Sequence, residues 1–335
     1  VTVDTTKKTL VVHDGSQAGG TPLMRESGGG VNATINSVNV GKGANSVAGN
    51  TVLGELALDA SVSGGDNTAV GKNALTALTS GARNNALGSG ALATLTTANN
   101  NNAFGYQALT NNTSGTGNNA FGKSALDASS TGSNLTAMGH NALGANTTAS
   151  NNTAIGYESL AANTTGAESV AVGSNSLDAN TTGSFNVGLG FNALTSNTTA
   201  NNNTSVGTGS MFSNTTGTQN VAVGAFALDA NTTANGNVAV GYNALTANTT
   251  GNNNTAVGDR ALSSHTTAAN VTGIGTQALG SNTTGHSNTS VGMQSLFTNT
   301  TGSSNTALGK DALRANTTAS NNTAVGTDAL TANTT

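Results

Sequence analysis

The chain has 335 residues, 35% of them apolar but only 7% charged and 3% aromatic, with 45 glycines, one proline and no cysteine. A net charge of −4, small and scattered, argues against nucleic-acid binding. The lack of cysteine excludes a disulfide frame and a Cys-based metal site, and no run of 18 apolar residues or signal-peptide pattern marks a membrane or secretory segment.

Residues 1–30 read as a small β module. VTVDTTKKTLVVHDG alternates like a strand pair, Val1 and Val3 against Leu10, Val11 and Val12, across the polar turn at residues 4–8. GSQAGGTPLMRE follows as a Gly-rich turn and a further short strand. The module is too short to hold a core, so it is expected to cap or connect, covering the edge that a terminal coil would otherwise expose. Residues 31–49 form transition coils, in which the pieces at 36–41 and 45–49 echo the later pattern at a shorter spacing.

From residue 50 to 335 one period governs. Gly54 returns every 17 residues, through Gly241 and Gly258 to Gly326, giving 17 glycines without insertion or deletion. A fixed period of this kind is a stacked repeat, each copy one turn of a solenoid. The residue before the glycine is always apolar, as in Leu53, Phe104, Met138, Ile155 and Val240. Three residues after it stands Ala or Ser, and four after it Leu, with Met211 the sole departure. Asn occupies the position four before the glycine in 14 copies, and ten after it only Gly or Ala occurs.

A helix would let identical residues drift around its face at 3.6 residues per turn, and Asn, Thr and Gly make poor helix interiors. The spacing instead predicts two brief extended segments per coil, Thr-Ala-Val before the glycine and Ala-Leu after it. The glycine itself sits at a bend with positive φ. The Gly/Ala column calls for a small side chain instead, because Ala tolerates positive φ poorly. The expected fold class is all-β: a parallel β-solenoid of 17-residue coils about 4.8 Å apart, sixteen intervals spanning roughly 77 Å. Two large and two or three small apolar side chains per coil do not offset the entropy of ordering 17 residues, so the composition predicts an oligomer, most simply a three-fold rod. Val1 is not an initiator Met and the last coil stops short at Thr335, so the sequence reads as a segment of a longer product.

Asn237-Val238-Ala239-Val240-Gly241-Tyr242-Asn243-Ala244 resembles the head repeat of trimeric autotransporter adhesins. That resemblance implies a left-handed, homotrimeric parallel β-roll, here with a coil lengthened by the loop Asn248-Thr249-Thr250-Gly251. The leader from Thr2 to Gly15, followed by Ala18-Gly19-Gly20, resembles a module near the start of bacteriophage tail fibres and tropism-determinant proteins.

Catalysis needs convergent titratable groups, and the four histidines (His13, His140, His265, His286) fall in different columns or outside the array, without ligand spacing. They read as surface residues. Asp59, Asp127, Asp178 and Asp229 recur five after the glycine but in non-consecutive coils, which suits a solvated face. Gly188-x-Gly190 and Gly207-x-Gly209 lack the third glycine of a dinucleotide site. No catalytic, cofactor-binding or metal residues are therefore expected. Asn-Thr-Thr triplets at Asn146, Asn163, Asn180, Asn231 and Asn316 match the N-glycosylation pattern but occupy one column, where hydrogen bonding between coils is the plainer use. Tyr106, Tyr157, Phe191 and Tyr242 directly follow the glycine and are candidate receptor contacts that could stack on sugars, with packing between coils or chains as the alternative; Phe212 and Phe297 follow the Leu/Met column.

The expected function is the non-enzymatic shaft of a trimeric phage tail fibre, extracellular on the virion, joined to other tail proteins through its N-terminal side and presenting attachment to a host-surface glycan or protein. The alternative is a bacterial trimeric surface adhesin or another extracellular filament. Neither nucleic-acid binding nor membrane insertion is expected.

Overall fold

A computed structural model of the protein describes residues 37–334 continuously, preceded by the strand segments 2–4, 9–12, 21–22 and 33–35. Strands β1 (Thr2–Asp4), β2 (Thr9–Val12) and β3 (Thr21–Pro22) form an antiparallel sheet in that order, with Thr2 opposite Val11 and Val11 opposite Pro22. These are the strands that the alternation predicts; the turn at 5–8, Val1 and His13 lie outside the described residues. The chain divides into two compact units, residues 1–151 and 152–335.

In the first unit β4 (Ala33–Ile35) pairs antiparallel with β5 (Val38–Gly41), which pairs antiparallel with β6 (Thr51–Gly54), the first strand of the array. The strand covering that edge thus comes from residues 38–41. Residues 43–45 close over the first coil: Ala44 N–H donates to the Leu58 carbonyl at 3.3 Å, and Asn45 Nδ2 donates to Ser61 Oγ at 2.9 Å and to the Val62 carbonyl at 3.0 Å.

From β6 the sheet is parallel, running to β11 (Thr136–Met138) in the first unit and from β12 (Thr153–Ile155) to β22 (Thr323–Val325) in the second. The fold is a parallel β-solenoid. Register follows the period: in β17 (Val238–Val240), Val238, Ala239 and Val240 stand opposite Thr255, Ala256 and Val257, 17 residues on.

Each coil contributes one strand, not two. The Ala-Leu segment is a hydrogen-bonded turn, with Asn243 at φ 51° and Leu245 at φ 54°. Left-handed backbone costs an L-residue roughly 1–2 kcal/mol. Full burial of the leucine, on the order of 2 kcal/mol, offsets that cost, and the turn stacks on its neighbour through Leu245 N–H donating to the Ala261 carbonyl at 2.9 Å.

The recurring glycine turns the corner, as its invariance predicts. Gly241 has φ 137°, and a Cβ there would meet the Gly258 carbonyl oxygen of the next coil at 2.4 Å. Both conformation and close approach demand glycine. The Gly/Ala column is set by crowding alone: at Gly251 a Cβ would lie 2.1 Å from the Ala268 carbonyl oxygen, and among the described residues no member of that column takes a positive φ.

The interior of the coils from Gly54 to Gly309 holds the leucine or Met211, the small residues two before and three after the glycine, and asparagines from two columns, whereas Leu330 of the last coil is exposed. Asn237 Oδ1 accepts the backbone N–H of Asn254 at 2.9 Å, while Asn237 Nδ2 donates to the Gly251 carbonyl at 2.9 Å. That same carbonyl accepts Asn248 Nδ2 at 3.0 Å. Each Gly/Ala carbonyl of this kind joins two asparagine ladders, so most buried amides are satisfied along the stack rather than by solvent, with Asn248 Oδ1 an exception.

Candidate functional site

Strand alternation sends the middle residue of each three-residue strand inward and its two neighbours outward. In β17, Ala239 is buried while Val238 and Val240 are only half-buried. The outward face therefore carries two columns: Thr, Val or Asn three before the glycine, and the always-apolar residue just before it. In the first unit the apolar column exposes Leu53, Leu87, Phe121 and Met138, with Phe104 and Phe121 stacked at 4.8 Å between centroids and 5° between planes. In the second it exposes Ile155, Val223, Ile274 and Leu308, the last at 48%. Parallel sheets are ordinarily covered on both faces, and a contiguous outward apolar column is the mark of an interaction surface.

The candidate receptor rings all face solvent: Tyr106 is 52% exposed, and Tyr157, Phe191 and Tyr242 are similar. They do not form one platform. In the second unit Tyr157, Phe191 and Tyr242 sit two and three coils apart, roughly 10 and 14 Å at about 4.8 Å per coil. The Glu158 carboxylate that bonds the Tyr157 hydroxyl pushes that phenol above its ordinary range. Phe226, which the column pattern does not single out, lies edge-on to Tyr242 at 6.4 Å, and Arg260 stands 5.9 Å from the Tyr242 ring centre.

Two sequence readings need correction. His265 is not a surface residue but fully buried, standing in the Asn-Thr-Thr column seven after the glycine. Its Nε2 bonds the Ala268 carbonyl at 2.8 Å and its Nδ1 faces Asn282 Nδ2 at 3.0 Å, so the neutral Nε2–H tautomer takes over an asparagine's donor and acceptor roles. Burial pushes its pKa below the usual histidine range. His140 and His286 are exposed. Of the acidic column, Asp59 is exposed but Asp127, Asp178 and Asp229 are half-buried, and desolvation raises the carboxyl pKa of Asp127 and Asp178. Turn stacking lays part of each aspartate against the neighbouring coil.

The asparagines of the Asn-Thr-Thr triplets at 146, 163, 180, 231 and 316 are fully buried, as the column reading predicts. Asn180 Nδ2 donates to Asn163 Oδ1 and to the Gly183 carbonyl, both at 2.9 Å, so the amides of these five triplets are not presented to a glycosyl donor in the folded chain. Thr164 Oγ1 donates to the Thr181 carbonyl at 2.9 Å.

Among the described residues no three His, Asp or Glu side chains are placed to hold a metal ion, and no helix is long and apolar enough to cross a membrane. Neither a family model nor a curated protein matches this chain.

Proposed function

We propose that this chain is part of the shaft of a homotrimeric bacteriophage tail fibre, non-enzymatic, extracellular on the virion, and presenting the particle to its host. The observation that carries the reading is the outward apolar column. A parallel sheet whose outer face holds Leu53, Phe121, Ile155 and Ile274 in water is half of an interface, and copies of the same chain supply a face of identical 17-residue period. Closed three-fold symmetry lets every copy cover that column at once. The leader containing β1 to β3, with its tail-fibre-like sequence, supports a phage source and an attachment to other tail proteins on the N-terminal side.

Sedimentation of the purified chain tests the assembly: a species of three times the chain mass is expected, and a stable monomer at micromolar concentration overturns it. Antibody labelling in electron micrographs tests the location. Label on the tail fibres of purified phage particles supports the reading; label on uninfected bacterial cells replaces it with a surface adhesin.

A further inference from the structure

Three consecutive coils of the second unit, those of Gly190, Gly207 and Gly224, build an aromatic cleft. The column two after the glycine ordinarily carries a side chain, such as Asn192 and Asn243, at positive φ. At Gly209 that side chain is missing, and the Phe226 ring of the next coil leans into the gap, so that a Cβ on Gly209 would meet Phe226 Cδ1 at 2.9 Å. Phe191 from the coil before and Phe212 from the turn of the same coil complete a cleft of about 310 Å³. Its polar margin is Asn192, Thr208 and Asp229, the last accepting the Thr246 hydroxyl at 2.6 Å.

We propose that this cleft binds one neutral pyranose ring of a surface glycan. A pyranose presents an apolar C–H face and a rim of hydroxyls. Phe191, Phe212 and Phe226 are each about half exposed and offer ring faces for the first, while an amide, a hydroxyl and a carboxylate from the three successive coils serve the second. A purely apolar ligand would desolvate all three polar groups and leave Asp229 with only its bond from Thr246, at a cost comparable to what stacking supplies. A quaternary ammonium would answer Asp229 and the rings but has no hydrogen to donate and no acceptor for Asn192 or Thr208. The volume sits at the lower end of ligand pockets, which suits a single ring and not a long chain. The attachment role proposed above supplies the source of the glycan, and the inference rests on it to that extent.

The test is saturation-transfer NMR on the whole chain with the methyl glycosides of glucose, galactose, mannose and N-acetylglucosamine, with choline as the cationic probe, followed by a glycan array. Binding of at least one glycoside is expected. Gly209→Asn restores the column's ordinary residue at a backbone angle that Asn192 and Asn243 already adopt, while its Cβ displaces the Phe226 ring from the gap; it should weaken binding about tenfold or more, as should Phe226→Ala. Lys123→Ala, an exposed side chain in the other unit, should leave binding unchanged. No glycoside signal, binding to choline alone, or glycoside binding that survives both cleft variants overturns the proposal. A monomer that binds glycosides keeps the site and removes the trimeric fibre; a trimer that binds none does the reverse.

Discussion

Two columns of this repeat look alike in sequence and differ in the folded chain. Four after the glycine stands Leu in every coil but one, and just before the glycine stands Val, Ile, Leu, Phe or Met. Leu245, Leu262 and Leu279 are fully buried, whereas Ile274 and Leu308 are 38% and 48% exposed. An unbroken apolar column therefore does not by itself mean burial within the chain. The inner column is closed by the chain's own turns; the outer one stays at the surface, where the proposed assembly would cover it.

The sharpest way to break that comparison is a charge on the outer column. Ile274→Asp should leave folding of the isolated chain within about 0.5 kcal/mol, as exposed substitutions generally do. In an assembly it would bury an unpaired carboxylate, at about 3–5 kcal/mol for each such site. Sedimentation should show dissociation while the circular dichroism spectrum stays unchanged; an intact assembly would show that the outer column is not the interface. On the inner column the signs reverse. Leu245→Ala should lower unfolding stability by about 2–5 kcal/mol at any protein concentration, read from denaturant midpoints. Val240→Ala should act mainly through the concentration dependence of unfolding.

Reading the chain by columns explains what was legible. Corner glycines were, because a backbone demand shared by every coil leaves one residue type at one spacing, Gly54 through Gly326. The solenoid and its 17-residue register followed. The left-handed turn at Leu245 was not, since leucine ordinarily avoids φ near +54° and nothing local asks for it; tertiary burial overrides the preference. His265 was legible in principle: it stands where Asn248 and Asn282 stand, and column membership outweighs the average exposure of histidine. The aromatic cleft was the least accessible, because Phe191, Gly209, Phe212 and Phe226 fall in three different columns and meet only when adjacent coils are laid over one another.

The asparagine ladders offer a smaller test of the inside. Asn237→Ala removes the acceptor for Asn254 N–H and one of two donors to the Gly251 carbonyl, which keeps Asn248, leaving the buried N–H unpaired at about 1–3 kcal/mol. Asn237→Leu should cost less, because Leu135 and Val271 fill the same column fully buried and add apolar contact where the amide was. Thermal unfolding of the two variants ranks them, and an equal loss would mean that the ladder, not volume, sets the cost.

The smallest expected effect is confined to one coil and has a direction fixed by chemistry. At His265 the neutral ring donates through Nε2 to the Ala268 carbonyl and accepts at Nδ1 from Asn282, but it gives no hydrogen to the preceding rung, and Asn248 Oδ1 is buried without a partner. Burial lowers the folded-state pKa, so between that value and the ordinary histidine pKa the unfolded chain binds more protons than the folded one. The contribution is therefore fully present above the ordinary histidine range and lost as pH falls through it. Asp127 and Asp178, whose carboxyls are raised by desolvation, act oppositely: they favour the folded chain as pH falls through their raised values toward the ordinary carboxylate range. His265→Asn should restore the missing rung and raise stability by about 1 kcal/mol at neutral pH. It should also flatten the decline in Tm between pH 7 and pH 5.5. A variant that gained nothing at neutral pH and kept the full slope would show that the histidine is not a member of the ladder.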